Sequence, residues 1–127
     1  MRRLCLVMCC GFVLACAPPP EREIVVGMTE YAFVPRTIEL MAAERVRLVV
    51  RNVGRLEHDF MADERGRALG LAHLHLSPGA SMSQDWTAPA NPTDIRIVCT
   101  VLGHETLGMV GHIVIAPRSR AGPAASP

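Results

Sequence analysis

The sequence predicts an all-β protein, an antiparallel Greek-key β-sandwich, and three observations carry that expectation. Short apolar or alternating runs rich in Val, Ile and Thr recur between residues 23 and 116, separated by Gly, Pro, Asn and Ser turn signals. No stretch keeps the spacing of a long amphipathic helix, and nothing repeats internally. The chain has 127 residues, half of them apolar, which suits one two-layered domain. Formal net charge is +1, and no basic face stands out, so nucleic acid is not expected as a partner.

The first 16 residues read as a processing segment outside the fold. Arg2 and Arg3 precede an apolar run over residues 4–15, too short to span a bilayer, and Cys16 follows. Val13-Leu14-Ala15-Cys16 resembles the lipobox of bacterial lipoproteins, with Leu14 a less usual residue at its place. That resemblance implies lipidation of Cys16 and a domain held on the outer side of a bacterial membrane. Ordinary cleavage near Ala15 or Ala17 is the alternative. Residues 17–22, with Pro18, Pro19 and Pro20, form a stiff linker.

Strands are then expected in order. Residues 23–28 carry Ile24, Val25 and Val26, and residues 31–35 form a loop with Tyr31 and Phe33. Residues 37–40 make a short strand. Residues 46–52 alternate, setting Arg47 and Arg51 opposite Val46, Leu48 and Val50. Asn52-Val53-Gly54 turns the chain toward His58. Residues 61–70 are polar and read as a loop or one helical turn. Residues 71–76 alternate, Ser77-Pro78-Gly79 turns, and residues 81–87 form a strand holding Trp86, read as a core residue. Residues 94–99 and 110–116 complete the domain, and residues 117–127 lack periodicity and read as a disordered tail.

Cysteine usage then narrows the chemistry. Cys5, Cys9, Cys10 and Cys16 all fall in the first 16 residues, which leaves Cys99 as the single thiol of an exported domain. Such a thiol is expected to be either buried and inert or bound to metal. Cys99 is followed by His104 and Met109 at even intervals, and His58 lies upstream after a strand and turn. Loops at one end of a Greek-key sandwich meet, so the four can converge. Two imidazoles, a thiolate and a weak thioether suit copper in both oxidation states. Gly103 and Gly108 each precede one of these side chains, where a tight loop needs backbone freedom.

These residues sit in a longer pattern: Tyr31-x-Phe33-x-Pro35-x-x-Ile38-x-Leu40, Val46-x-Leu48, Asn52-x-Gly54-x-x-x-His58-Asp59-Phe60, Cys99-Thr100, and Met109-x-Gly111-x-Ile113. Over residues 23–116 the chain resembles the cupredoxins, the type 1 blue copper proteins, and most of all their auracyanin and azurin-like bacterial branch. It departs from those relatives at Leu102, where Pro is frequent, and at Ala43, where Gly is frequent. The resemblance implies one copper ion per chain, with His58, Cys99 and His104 as strong ligands and Met109 as the weak axial one. It also implies that Val101, Leu102 and Leu107 form an apolar docking patch around His104.

The function expected is single-electron transfer between redox proteins such as cytochromes or oxidases, by a monomer on a lipid anchor rather than by an enzyme. The rival is a copper chaperone or storage protein with exchangeable, exposed ligands, toward which His73, His75 and Met82 point faintly. A copper subunit serving one fixed catalytic partner is a third reading. Asp59 and Thr100 each follow a ligand and are expected to hydrogen-bond each other, the alternative being that both face water. His73 and His75 lie two apart, either as a solvated strand face or as a second metal site, and we expect the solvated face. His112 is expected to point outward.

Overall fold

The computed structural model describes residues 19–118. Nine strands and one short helix make up this region: β1 (Arg22–Thr29), β2 (Ala32–Val34), β3 (Thr37–Met41), β4 (Arg45–Asn52), β5 (His58–Ala62), α1 (Glu64–Ala68), β6 (Leu74–Leu76), β7 (Ser81–Thr87), β8 (Thr93–Val98) and β9 (Val110–Ala116). They form a sandwich of a four-stranded sheet, β2-β1-β4-β7, and a five-stranded sheet, β3-β9-β8-β5-β6.

Most neighbours are antiparallel, but β1 pairs with β4 and β3 with β9 in parallel. Parallel neighbours need a crossover rather than a hairpin. The chain supplies one by leaving the first sheet after β2, laying β3 in the second, and returning as β4. The sandwich is therefore mixed, a detail that strand-by-strand alternation does not reveal.

Alternation decides which faces meet. In β4, Val46, Leu48 and Val50 are at most 1% exposed, and Arg47 and Arg51 point to solvent. They meet Ile95 and Ile97 of β8 and Ile113 and Ile115 of β9 in one apolar cluster. Each such side chain contributes roughly 1.5–3 kcal/mol on burial. Phe33 and Phe60 add an edge-to-face pair at 5.9 Å between ring centroids.

Three elements differ from the sequence expectation. β2 forms inside the 31–35 loop, pairing with β1. The undecided stretch 61–70 resolves into the end of β5 and helix α1, capped by Asp63, whose Oδ1 accepts from Gly66 N at 2.9 Å. His58 begins β5 rather than lying in a loop, because Asp59 and Phe60 pair with His75 and Leu74 of β6. The run His58-Asp59-Phe60 is buried on both faces and so shows no alternation.

The strand directions give the molecule two poles. β4 ends at Asn52 and β8 at Val98 on one pole, where β9 also starts. The described chain enters and leaves at the other, where Glu21 reaches both Arg45 and Arg118. Trp86 lies at this second pole, paired with Val46 at the start of β4, 6% exposed, with Nε1 donating to Leu69 O at 2.8 Å. It is a core residue, about 20 Å along β4 from Asn52. Ala43 also lies there, with φ 58. The left-handed region suits glycine, so the departure from Gly at this position falls on backbone that Gly would occupy without strain.

Candidate metal centre

The first pole brings together three side chains from two places in the chain. His58 opens β5, Cys99 follows directly on β8, and His104 sits in the turns that link β8 to β9. The linking loop folds on its own backbone: His104 N donates to Val101 O at 3.0 Å, Leu107 N to Gly103 O at 3.0 Å, and Met109 N to His104 O at 3.0 Å. Cys99 N then donates to Met109 O at 3.2 Å and closes the base of the loop. Gly103 and Gly108 have φ 85 and 98, backbone that a side chain would strain.

His58 is held from beneath. Asn52 is 1% exposed, and its Nδ2 donates to Leu56 O at 2.7 Å and Leu76 O at 2.9 Å. Its Oδ1 accepts from Gly54 N at 3.0 Å. One buried amide thus ties the 52–58 turn to β6. A Cβ on Gly54 would stand 3.2 Å from His58 Nε2 and 2.9 Å from Glu30 Oε1, so the turn passes close against the ring.

The result is a triangle of donor atoms. His58 Nδ1 and His104 Nδ1 are 3.2 Å apart, and Cys99 Sγ lies 3.4 Å from His104 Nδ1 and 3.9 Å from His58 Nδ1. Three N and S ligands around one central ion in a plane, each roughly 2.0–2.3 Å from it, stand about 3.5 Å apart. The observed edges straddle that value. His58 and Cys99 are 0% exposed and His104 is 6% exposed. His58 Nε2 is buried with no partner, so whatever satisfies this ring lies on its Nδ1 side. Burial and the neighbouring His104 both hold the His58 pKa below its ordinary value, which keeps the imidazole neutral with a lone pair to offer. Soft thiolate plus two neutral imidazoles in a water-excluded pocket is a donor set that fits copper.

The remaining residues of interest surround the triangle. Met109 is fully buried and joined through its backbone to both Cys99 and His104. Asp59 N donates to Cys99 Sγ at 3.3 Å, placing a dipole on the sulfur. Thr100 Oγ1 donates to Asp59 Oδ2, so the two ligand-bearing segments are laced together. Burial pushes the Asp59 pKa up, but the hydrogen bonds of Thr100 and His75 outweigh it and the carboxyl ends below its usual range. Leu102 and Leu107 are 98% and 61% exposed beside His104, and Val101 is half-buried against the core. His112 lies away from the triangle, its Nδ1 2.8 Å from Asp94 Oδ1. Cys16 falls outside the described residues.

Sequence reasoning did not assign Tyr31, Asn52 or Glu30 to this pole. Tyr31 packs edge-on to His104 at 5.2 Å between centroids and holds φ 65 to do so. Its signal was its place in the aromatic-bearing 31–35 loop and at the head of the Tyr31-x-Phe33-x-Pro35 pattern. Glu30 Oε1 accepts from Arg55 N, a contact that lowers its pKa.

No family model matches the chain. The copper-resistant cuproprotein CopI of Rubrivivax gelatinosus is 29% identical over 115 residues, 78% of this chain and 69% of that protein. Reduced auracyanin of Roseiflexus castenholzii superposes with a TM-score of 0.64 at 20% identity, over 78% of this chain and 100% of that one. Auracyanin A, a blue copper protein of Chloroflexus aurantiacus, gives 0.60 at 20% identity, over 74% and 98%. The chain has the cupredoxin fold. At these identities the likeness carries the architecture, and the chemistry rests on the triangle itself. The loop residue that departs from the cupredoxin pattern, Leu102, is almost wholly in solvent and bears no weight in the core.

Proposed function

We propose that the protein is an exported, membrane-anchored type 1 blue copper protein that binds one copper ion and passes single electrons between redox partners such as cytochromes or oxidases. The observation that carries this reading is the buried triangle of His58 Nδ1, His104 Nδ1 and Cys99 Sγ. Copper held there supplies a one-electron couple. The chain's part is to present a thiolate and two imidazoles in a fixed arrangement, exclude water, and change little as charge comes and goes. Two hydrogen-bonded anchors, Asn52 under His58 and Thr100–Asp59 beside Cys99, serve that rigidity. Met109 is assigned as the weak axial ligand, so Met109→Gln is expected to retain copper and lower the midpoint potential; an unchanged potential would remove Met109 from the site.

Exposed Leu102 and Leu107 suit a small apolar contact with a transient partner. The described chain begins at the pole opposite the triangle, so a lipid on Cys16 would tether the domain from that side. With every donor supplied by the protein and none more than 6% exposed, we read the site as a carrier rather than an enzyme.

The test is Cu(II) addition to the metal-free protein with visible absorption recorded. One equivalent should produce a strong blue or green thiolate-to-copper band that bleaches with ascorbate and returns on oxidation. A pale protein that holds only Cu(I), or yields its metal to a weak chelator, would favour a second reading. That reading is copper handling, and the likeness to a copper-resistant cuproprotein supports it.

A further inference from the structure

A second cluster of metal-binding side chains lies on the surface beside the triangle and takes no part in it. β6 is the edge strand of the five-stranded sheet, and its His75 stands directly opposite Asp59 of β5. His75 Nδ1 is 2.6 Å from Asp59 Oδ1, and His73 Nε2 reaches the same oxygen at 3.4 Å. Glu57 Oε2 lies 3.6 Å from His75 Nε2 on the outer side. Asp59 divides its carboxylate: Oδ2 is taken by Thr100, and Oδ1 faces the two imidazoles.

We propose that His73, His75 and Asp59 form a second, solvent-accessible site for a borderline divalent cation such as Cu(II). The chemistry of the donors selects that class: imidazole nitrogen with carboxylate oxygen suits Cu(II) in a tetragonal arrangement, and the absence of sulfur from these residues disfavours Cu(I). The separations of 2.6 and 3.4 Å place both imidazoles on one carboxylate oxygen, but the two rings do not yet converge with it on a single point, so they must turn to share an ion. The carboxylate is 8% exposed and already fixed by Thr100, and the histidine side chains are 47% and 54% exposed and free to turn onto an incoming ion. A fixed anion flanked by two adjustable imidazoles suits reversible capture from solution. The buried triangle offers the contrasting chemistry of a closed thiolate site. This inference does not depend on the function proposed for the triangle.

The experiment uses the full chain loaded with one equivalent of copper and oxidised. A second equivalent of Cu(II) is added, unbound metal is removed by desalting, and copper per chain and the electron paramagnetic resonance spectrum are recorded. The expected result is two coppers per chain and a new signal with wide hyperfine splitting and nitrogen couplings, while the thiolate band is unchanged. His73→Gln and His75→Gln should each weaken the second equivalent at least tenfold and leave the first in place. A ratio that stays at one copper per chain overturns the proposal. So does a second equivalent bound equally well by the His73→Gln/His75→Gln double variant, which would put the ion elsewhere. If the thiolate band never forms but the wide-hyperfine signal does, the reading of the triangle fails and this one stands.

Discussion

Both poles of the sandwich answer buried polar groups with hydrogen bonds, but only one of them also leaves a set of such groups facing each other. At the pole where the chain enters, Glu44 is 7% exposed and fully answered: Arg22 donates to one oxygen and Met41 N to the other at 2.8 Å. Trp86 also has its Nε1 paired. At the other pole, two imidazoles and a thiol meet with no carboxylate or guanidinium among them, and His58 Nε2 has no partner. Buried polar atoms left mutually facing cost stability. A pole that carries such a cost beside one that avoids it marks where the fold has been bent to another purpose.

The sharpest way to break that contrast is Cys99→Ser. It removes the one soft ligand, and we expect loss of the thiolate-to-copper band altogether, read by visible absorption after Cu(II) addition. A band of undiminished strength would exclude Cys99 from the metal. The mirror experiment sits at the far pole. Trp86→Ala removes a buried aromatic and its hydrogen bond and should cost about 3–5 kcal/mol of stability in denaturant titration. The band of the copper-loaded protein should keep its position and intensity. A shifted band would mean that the poles are mechanically coupled and the contrast overstated.

Much of this architecture was legible in the residues. Alternation in residues 46–52 located β4, whose Arg47 and Arg51 face solvent, and the apolar run at residues 110–116 located β9. Cys99, His104 and Met109 stood out because their spacing places them in one loop between two strands. What stayed hidden has a physical reason in each case. β5 is buried on both sides, so His58-Asp59-Phe60 has no period to read. The parallel β1–β4 and β3–β9 pairs follow from a crossover between sheets, which local patterning does not encode. Tyr31 reaches His104 only through a left-handed backbone at a non-glycine residue. The pairing of Asp59 with both Thr100 and His75 needs two strands and a loop to meet, and only the Thr100 half was suggested by adjacency to the ligands.

Between the poles, Asn52 offers a graded test. Its side chain binds Leu56 O, Leu76 O and Gly54 N, so Asn52→Ala removes three hydrogen bonds beneath His58, although Gly54 N keeps its bond to Met28 O at 3.1 Å. The expected loss is about 1–3 kcal/mol, smaller than for Trp86→Ala. Unlike Trp86→Ala, it should also broaden the copper signal in electron paramagnetic resonance by loosening one ligand. Equal destabilisation with an unaltered signal would make Asn52 a general support of the turn with no particular bearing on His58.

The smallest effect lies at the edge of the metal pole, where His75 is exposed but paired. The hydrogen bond to Asp59, followed by that carboxylate's charge, raises the His75 pKa above its ordinary value. A raised histidine pKa stabilises the folded state fully below the unfolded value of roughly 6.5. The contribution is lost as pH rises through the folded-state value, so the pair weakens toward alkaline pH. Nuclear magnetic resonance titration of the metal-free protein should show His75 titrating above the ordinary histidine value of roughly 6.5. Asp59→Asn should bring His75 down toward the ordinary range, whereas Thr100→Val, which removes only the bond to Oδ2, should leave His75 raised. If Asp59→Asn left the His75 titration where it was, Glu57 rather than Asp59 would be the group that holds the proton. The carboxylate would then belong wholly to the buried side of the metal pole.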